Sequence, residues 1–184
     1  MPPMTELYFS TDIETDGPIP GPYSMLSFGT AVFDATGKRL GEFTRNLTPL
    51  EGAGQHPDTM AFWARNKEAY DATRVQPVVP AAAMRDYVAW VDGFGGRPVF
   101  VAYPAGFDFL FMYWYLVKFA GRSPFSFSAL DMKTYAMAKL GLSYRASTKR
   151  NMPRAWFPKG RHTHRALDDA IEQGELFVAM LRAK

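Results

Sequence analysis

The apolar positions of this chain change their period along its length. Residues 7–13 form a β-type run that ends in acids, 24–33 and 40–47 form two more, and Asp34-Ala35-Thr36-Gly37 supplies hairpin chemistry between the latter pair. This predicts an antiparallel meander of three strands. The spacing then turns helical. Pro57 or Asp58 can open a helix through Phe62, Trp63 and Arg65. A second helix after Pro80 carries Met84, Tyr87, Val88 and Val91 on one face and stops at Gly93, Gly95 and Gly96. Residues 97–103 read as a short buried strand, and 107–119 as a helix apolar nearly all round and hence thoroughly buried. A last strand is expected over 125–130, a helix over 131–140 and a loop with Pro153 and Pro158 over 141–161. The final helix runs from about 164 to 181, with Thr163 as its N-cap. Three strands followed by alternating helices and strands predict an α/β fold, a mixed sheet flanked by helices. No repeat or low-complexity linker divides the chain, so one domain is expected over 1–184.

Composition narrows the class. With 47% hydrophobic and 15% aromatic residues, the chain can build a core and is not disordered. The absence of cysteine excludes a disulfide framework and a thiolate zinc site, and fits a reducing cytoplasm. The N-terminus has no basic segment followed by an apolar one, and the longest apolar run, 109–117, is too short to span a bilayer. A cytoplasmic protein without membrane contact is therefore expected. The net charge of +3 decides little, but its distribution does. No acid occurs between Asp131 and Asp168, where Lys133, Lys139, Arg145, Lys149, Arg150, Arg154, Lys159, Arg161 and Arg165 all lie. Such one-sided charge suits a polyanionic partner, although a solvated basic loop would look the same.

Three acidic constellations carry the candidate chemistry. In Asp12-Ile13-Glu14-Thr15-Asp16-Gly17, strand alternation puts Asp12 and Glu14 on one face and Ile13 on the other. Two neighbouring carboxylates repel and resist desolvation, and a divalent cation relieves both; hard oxygen ligands suit magnesium or manganese. A solvated strand end is the plainer alternative. Asp108 is a lone acid opening a very apolar helix, where it either complements the helix dipole or answers a metal. The third segment, His164-Arg165-Ala166-Leu167-Asp168-Asp169-Ala170, places a histidine near a carboxylate pair. An imidazole, titrating near neutrality, is a natural general base beside such a cluster.

Taken together and in order, these segments resemble the DEDDh family of 3′–5′ exonucleases, whose fold is ribonuclease H-like, over nearly the whole chain. Asp12-Ile13-Glu14 is similar to that family's first motif, Ser24 to Gly29 to its second strand, and Phe107-Asp108 to its second motif. Asp131-Met132-Lys133-Thr134 is similar to a recurring Asp-Thr segment, and the spacing of His164 five residues before Asp169 is the most specific match. The tyrosine subclass would place Tyr where Arg165 stands. One departure is Tyr103-Pro104-Ala105-Gly106, where family members often carry His-Asn.

The resemblance implies a two-metal phosphodiester hydrolase releasing 5′-mononucleotides from the 3′ end of single-stranded nucleic acid or 3′ overhangs, RNA slightly favoured over DNA. Asp12 would bridge two Mg2+ or Mn2+ ions, Glu14 and Asp169 would complete the first site, Asp108 would serve the second through water, and His164 would take the proton of the attacking water. Asp168 is read as structural, Asp131 as a helix N-cap, and His162 as a weaker phosphate contact; His56 has no assigned role. Lys149, Arg150 and Arg154 could track phosphates, and Trp156 could stack on bases or simply pack the loop. A homodimer is compatible with the family. A proofreading role beside a polymerase and a catalytically silent nucleic-acid-binding module are the competing readings, neither favoured.

Overall fold

The structure, a computed structural model, describes residues 5–158 and 164–183. Its centre is a five-stranded sheet in the order β3-β2-β1-β4-β5, formed by β1 (Glu6–Thr15), β2 (Met25–Phe33), β3 (Arg39–Asn46), β4 (Arg97–Ala102) and β5 (Leu130–Asp131). The first three strands are the expected antiparallel meander, and β4 and β5 add on in parallel. Asp34 closes the β2–β3 turn as expected, its Oδ1 accepting from the Thr36 and Lys38 amides at 2.9 and 3.0 Å.

Six helices complete the described chain: α1 (Pro57–Arg65), α2 (Lys67–Thr73), α3 (Pro80–Asp92), α4 (Ala105–Ala120), α5 (Met132–Leu140) and α6 (Ala166–Arg182). Strand alternation assigns them to two layers. On one face of the sheet Leu7, Phe9 and Ile13 pack with Met84 and Tyr87 of α3 and with Phe111, Met112 and Tyr115 of α4. On the other, Tyr8 and Val101 meet Met132 and Ala136 of α5 and Leu176, Phe177 and Met180 of α6. Because β1 is covered on both faces, its polar side chains need partners inside. Thr11 hydrogen-bonds Thr30 at 2.8 Å, and Thr30 bonds the Tyr87 hydroxyl at 2.9 Å. On the α6 side, Gln173 Nε2 donates to the Thr11 carbonyl at 3.0 Å and to Ser10 at 3.2 Å.

Four expectations need correction. The last strand is shorter than expected: of 125–130 only Leu130 is in it, as the first residue of β5. Phe125 is anchored in the core against Phe9 and Phe100, Ser126 takes a left-handed φ of 59°, and Phe127 is turned outward, so the stretch begins as a turn with one buried pin. The helix α4 is not buried all round, since Leu110, Tyr113 and Val117 are exposed along one side. Helix α2 was not anticipated, because seven residues held partly by a Lys67–Asp71 pair are too short to show a period. Finally, α6 begins at Ala166 and not at 164, with Arg165 as its N-cap; Thr163, expected in that role, lies outside the described residues. No helix among the described residues is long and apolar enough to cross a membrane.

Candidate active site

The end of β1 supplies the first two acids. Alternation directs Asp12 and Glu14 to the α6 face while Ile13 is buried opposite, as the sequence pattern predicts. Directly across from Asp12 on β2 stands Gly29. A Cβ at that position would lie 2.4 Å from the Leu167 backbone, so the missing side chain lets the first turn of α6 sit on the sheet. That close approach carries Asp169 to the strand. Carboxylate oxygens of Asp12, Glu14 and Asp169 all lie within 4.8 Å of one another. Gln173, one turn beyond Asp169 on the same face of α6, fastens the helix to β1 through the hydrogen bonds described above. Gly29→Ala is therefore expected to abolish cleavage and lower the melting temperature by several degrees, because backbone and not a flexible side chain blocks the new methyl. A thermal melt and an activity assay at native activity would show instead that α6 can shift without harm.

Asp108 reaches the same place from the other layer. It lies in the first turn of α4 and is buried, and the backbone amides of Ile13 and of Asp108 itself oppose the effect of that burial on its carboxyl. Asp131 positions that turn. One oxygen caps α5 by accepting from the Thr134 amide at 2.7 Å, as expected, and the other accepts from the Ala105 amide at 2.8 Å at the start of α4. Asp108 and Asp169 thus lie in the first turns of α4 and α6, where the positive ends of the helix dipoles favour anions.

Burial, then repulsion from Asp108, Glu14 and Asp169, raises the Asp12 carboxyl well above the ordinary carboxylate range, with Lys149 acting in the opposite direction. Burial and the neighbouring acids push Glu14 up to about 8, and burial pushes Asp108 up to about 7. Clustered oxygens that resist ionisation when metal-free are a donor set suited to hard divalent cations. A consequence is measurable. Between the ordinary carboxylate range and about pH 8 the folded protein holds protons that the unfolded chain releases, so stability must fall as pH rises through that window. In EDTA the melting temperature is expected to drop from pH 5 to pH 8 more steeply for the parent than for Glu14→Gln. Equal slopes would assign the trend to other groups.

His164 stands at the rim. It lines a cleft of about 220 Å³ together with Glu14, Thr44, Asn46 and the first turn of α6. It lies two residues before Ala166, with a left-handed φ of 54°, and its ring meets Phe62 edge-on at 5.4 Å. Asp168, on the exposed side of that turn, lines the same cleft and is not among the three clustered carboxylates. Asp16 is structural: it accepts from the Ser24 amide at 2.5 Å and closes the turn after β1. His56 packs edge-on against Tyr23, and His162 lies outside the described residues.

A second cleft of about 270 Å³ opens beside Glu14 between Ile13, Thr15, Thr59, Phe62, Trp63 and Phe107. Phe107, expected in the core, is 36% exposed there. The basic loop is pinned by Tyr103, whose hydroxyl donates to the Ser147 carbonyl at 3.1 Å, and the Lys149 ammonium lies 5.5 Å over the Tyr103 ring. The departure at Tyr103 thus has a local role. Arg150 and Arg154 are exposed, while Trp156 and Phe157 are half-buried against the α5–α6 cluster. Sequence reasoning missed Gly29, Gln173, Phe62 and the second bond of Asp131. Only Gln173 left a trace, as a polar residue four positions after Asp169 on an otherwise apolar face.

No family model matches the chain. The chain is 31% identical over 172 residues to the 3′-5′ DNA exonuclease Cap18 of Escherichia coli, covering 94% of this chain and 90% of that protein. Its fold is similar to the nuclease domain of 3′hExo, a DEDDh family member bound to rAMP, with a TM-score of 0.67 at 11% identity over 98% of this chain and 93% of that one. It is also similar to product-bound exonuclease I, with a TM-score of 0.60 at 15% identity over 97% of this chain and 42% of that one. With a relative matched over nine-tenths of its length at that identity, a ribonuclease H-like sheet and the acids of the first and third motifs together at one strand end, the chain belongs to the DEDDh family of 3′–5′ exonucleases.

Proposed function

We propose that the protein removes 5′-mononucleotides one at a time from the 3′ end of single-stranded DNA, using divalent metal and a histidine base. The observation that carries this reading is the meeting of Asp12, Glu14 and Asp169 within 4.8 Å, with His164 lining the same cleft as Glu14. Asp12, Glu14 and Asp169 would hold one Mg2+ or Mn2+ ion, and Asp108 with Asp12 a second. Bound there, the pair of ions supplies charge neutralisation at the attacking and leaving oxygens of an in-line displacement at phosphorus. The protein's own groups do the rest. His164 accepts the proton of the attacking water, and the apolar cleft between Phe62 and Phe107 receives the terminal base, placing its phosphate against the acids. The sequence lean toward RNA rests on no contact to a 2′-hydroxyl. The relative matched over nine-tenths of its length is named as a DNA exonuclease, which supports DNA.

The test is a product ladder from 3′- and 5′-labelled DNA and RNA, single-stranded, double-stranded and circular, in magnesium, manganese or EDTA. The reading expects stepwise shortening of 5′-labelled linear DNA with metal, none with EDTA, and survival of circles. Endonucleolytic nicking of circles would exclude it.

Lys149, Arg150 and Arg154 are proposed to follow the phosphates upstream of the cut, with Trp156 holding their loop against α6. Changing the three cations together to Ala should weaken binding and flatten its salt dependence by about two units of slope for single strands, with little effect on the bound-state rate. Fluorescence anisotropy across a salt series measures this, and an unchanged slope would make the loop charges merely solvated.

A further inference from the structure

His164 stands just outside the helix whose acid it accompanies in sequence. The residue precedes the N-cap Arg165, that cap has no side-chain hydrogen bond to the helix, and the His164 backbone is in the left-handed region that a side chain bearing Cβ disfavours. Such a conformation persists only where surrounding contacts impose it. Two contacts from outside α6 bear on this segment, one on His164 and one on Arg165. The Phe62 ring meets His164 edge-on at 5.4 Å and an interplanar angle of 86°, and Arg165 Nη2 lies 3.3 Å from Glu68 Oε1 on α2. The ion pair is well exposed and contributes little by itself. The aromatic contact is better supported. Phe62 packs on Trp63 at 5.1 Å, Trp63 is buried, and its indole N–H donates to the Thr15 carbonyl at 2.8 Å. Thr15 ends the strand that carries Asp12 and Glu14. A continuous path of contacts therefore runs from the carboxylate strand through α1 to the histidine.

We propose that Phe62 is a positioning residue for His164, setting the imidazole's distance from the carboxylates by way of Trp63 and Thr15. This rests on the reading of His164 as general base. Phe62 also lines the cleft assigned to the terminal base, so its two roles have to be separated.

A double-mutant cycle separates them. Single-turnover cleavage of a 5′-labelled single strand, with saturating enzyme and magnesium, is measured for the parent, Phe62→Ala, His164→Ala and the double variant. Phe62→Ala should lower the rate about tenfold to a hundredfold, the scale of a misplaced catalytic group, with affinity nearly unchanged. In the His164→Ala background the same change should cost clearly less, by about tenfold or more, because the part of the effect that passes through the imidazole has nothing left to act on and only the contribution of the cleft remains. Phe62→Tyr, which keeps the ring, should restore most of the rate. If Phe62→Ala does not fold, Phe62→Leu carries the cycle. Equal losses in both backgrounds would overturn the proposal and leave Phe62 as a substrate contact. A parental rate for His164→Ala alone would instead overturn the base assignment, and the positioning role with it.

Discussion

Replacing Asp12 or Asp169 by Asn should remove nearly all cleavage, by about a thousandfold or more. Each supplies one of the three carboxylates that meet within 4.8 Å. Losing charge stabilisation of about 4 kcal/mol at the reacting phosphate corresponds to a rate loss of that size. EDTA should do the same to the parent. The fold should respond in the opposite sense. Asp12 is pushed well above the carboxylate range by burial and by its acidic neighbours, so an amide there relieves a penalty that the metal-free protein bears. The metal-free Asp12→Asn variant should therefore melt no lower than the metal-free parent at pH 8, and the parent alone should gain strongly in melting temperature on adding magnesium or manganese. Full turnover by either Asn variant would remove these acids from the mechanism. A large drop in melting temperature would mark them as structural.

His164→Ala should lower the single-turnover rate by about a hundredfold to ten-thousandfold, the range for loss of a general base, while the affinity for substrate barely changes. The acids and the basic loop still hold the strand in that variant. The parental rate should climb with pH, and this limb should vanish in His164→Ala. Water activated by metal can titrate too, so the loss of the limb on mutation is the decisive part. His162→Ala, outside the described residues but only two positions away, is the control. If His162→Ala proved crippling and His164→Ala mild, the alignment of the third motif would be wrong.

The parts of this molecule that could be read in the sequence are those where a local rule and the tertiary structure agree. The meander was legible because alternation, hairpin residues and two-sided burial all favour the same strands. Asp12 and Glu14 on one face followed from alternation alone, and the cap at Asp131 from its residue type. Elsewhere the deciding contact was long-range. The run at 125–130 looked like a strand because its aromatics alternate, yet one of them pins a turn into the core. Helix α4 is apolar all round, but its neighbours cover only part of it, leaving Leu110, Tyr113 and Val117 exposed. Phe107 was expected inside because it is aromatic, whereas its place at the mouth of a cleft depends on how α4 meets α1. Gly29 illustrates the limit. Nothing in its neighbourhood along the chain reveals that the backbone of residue 167 will lie against it.

The acidic cluster joins β1 to α6, and with them opposite ends of the sequence. A chain still growing on the ribosome has Asp12, Glu14 and Asp108 long before Asp169 and its helix emerge, so it carries no complete set of ligands during synthesis. The same holds for a fragment from which proteolysis has removed α6. On the proposed reading of these acids as metal ligands, cleavage would be withheld until α6 has docked on Gly29, so that the folding of this helix would itself arm the enzyme.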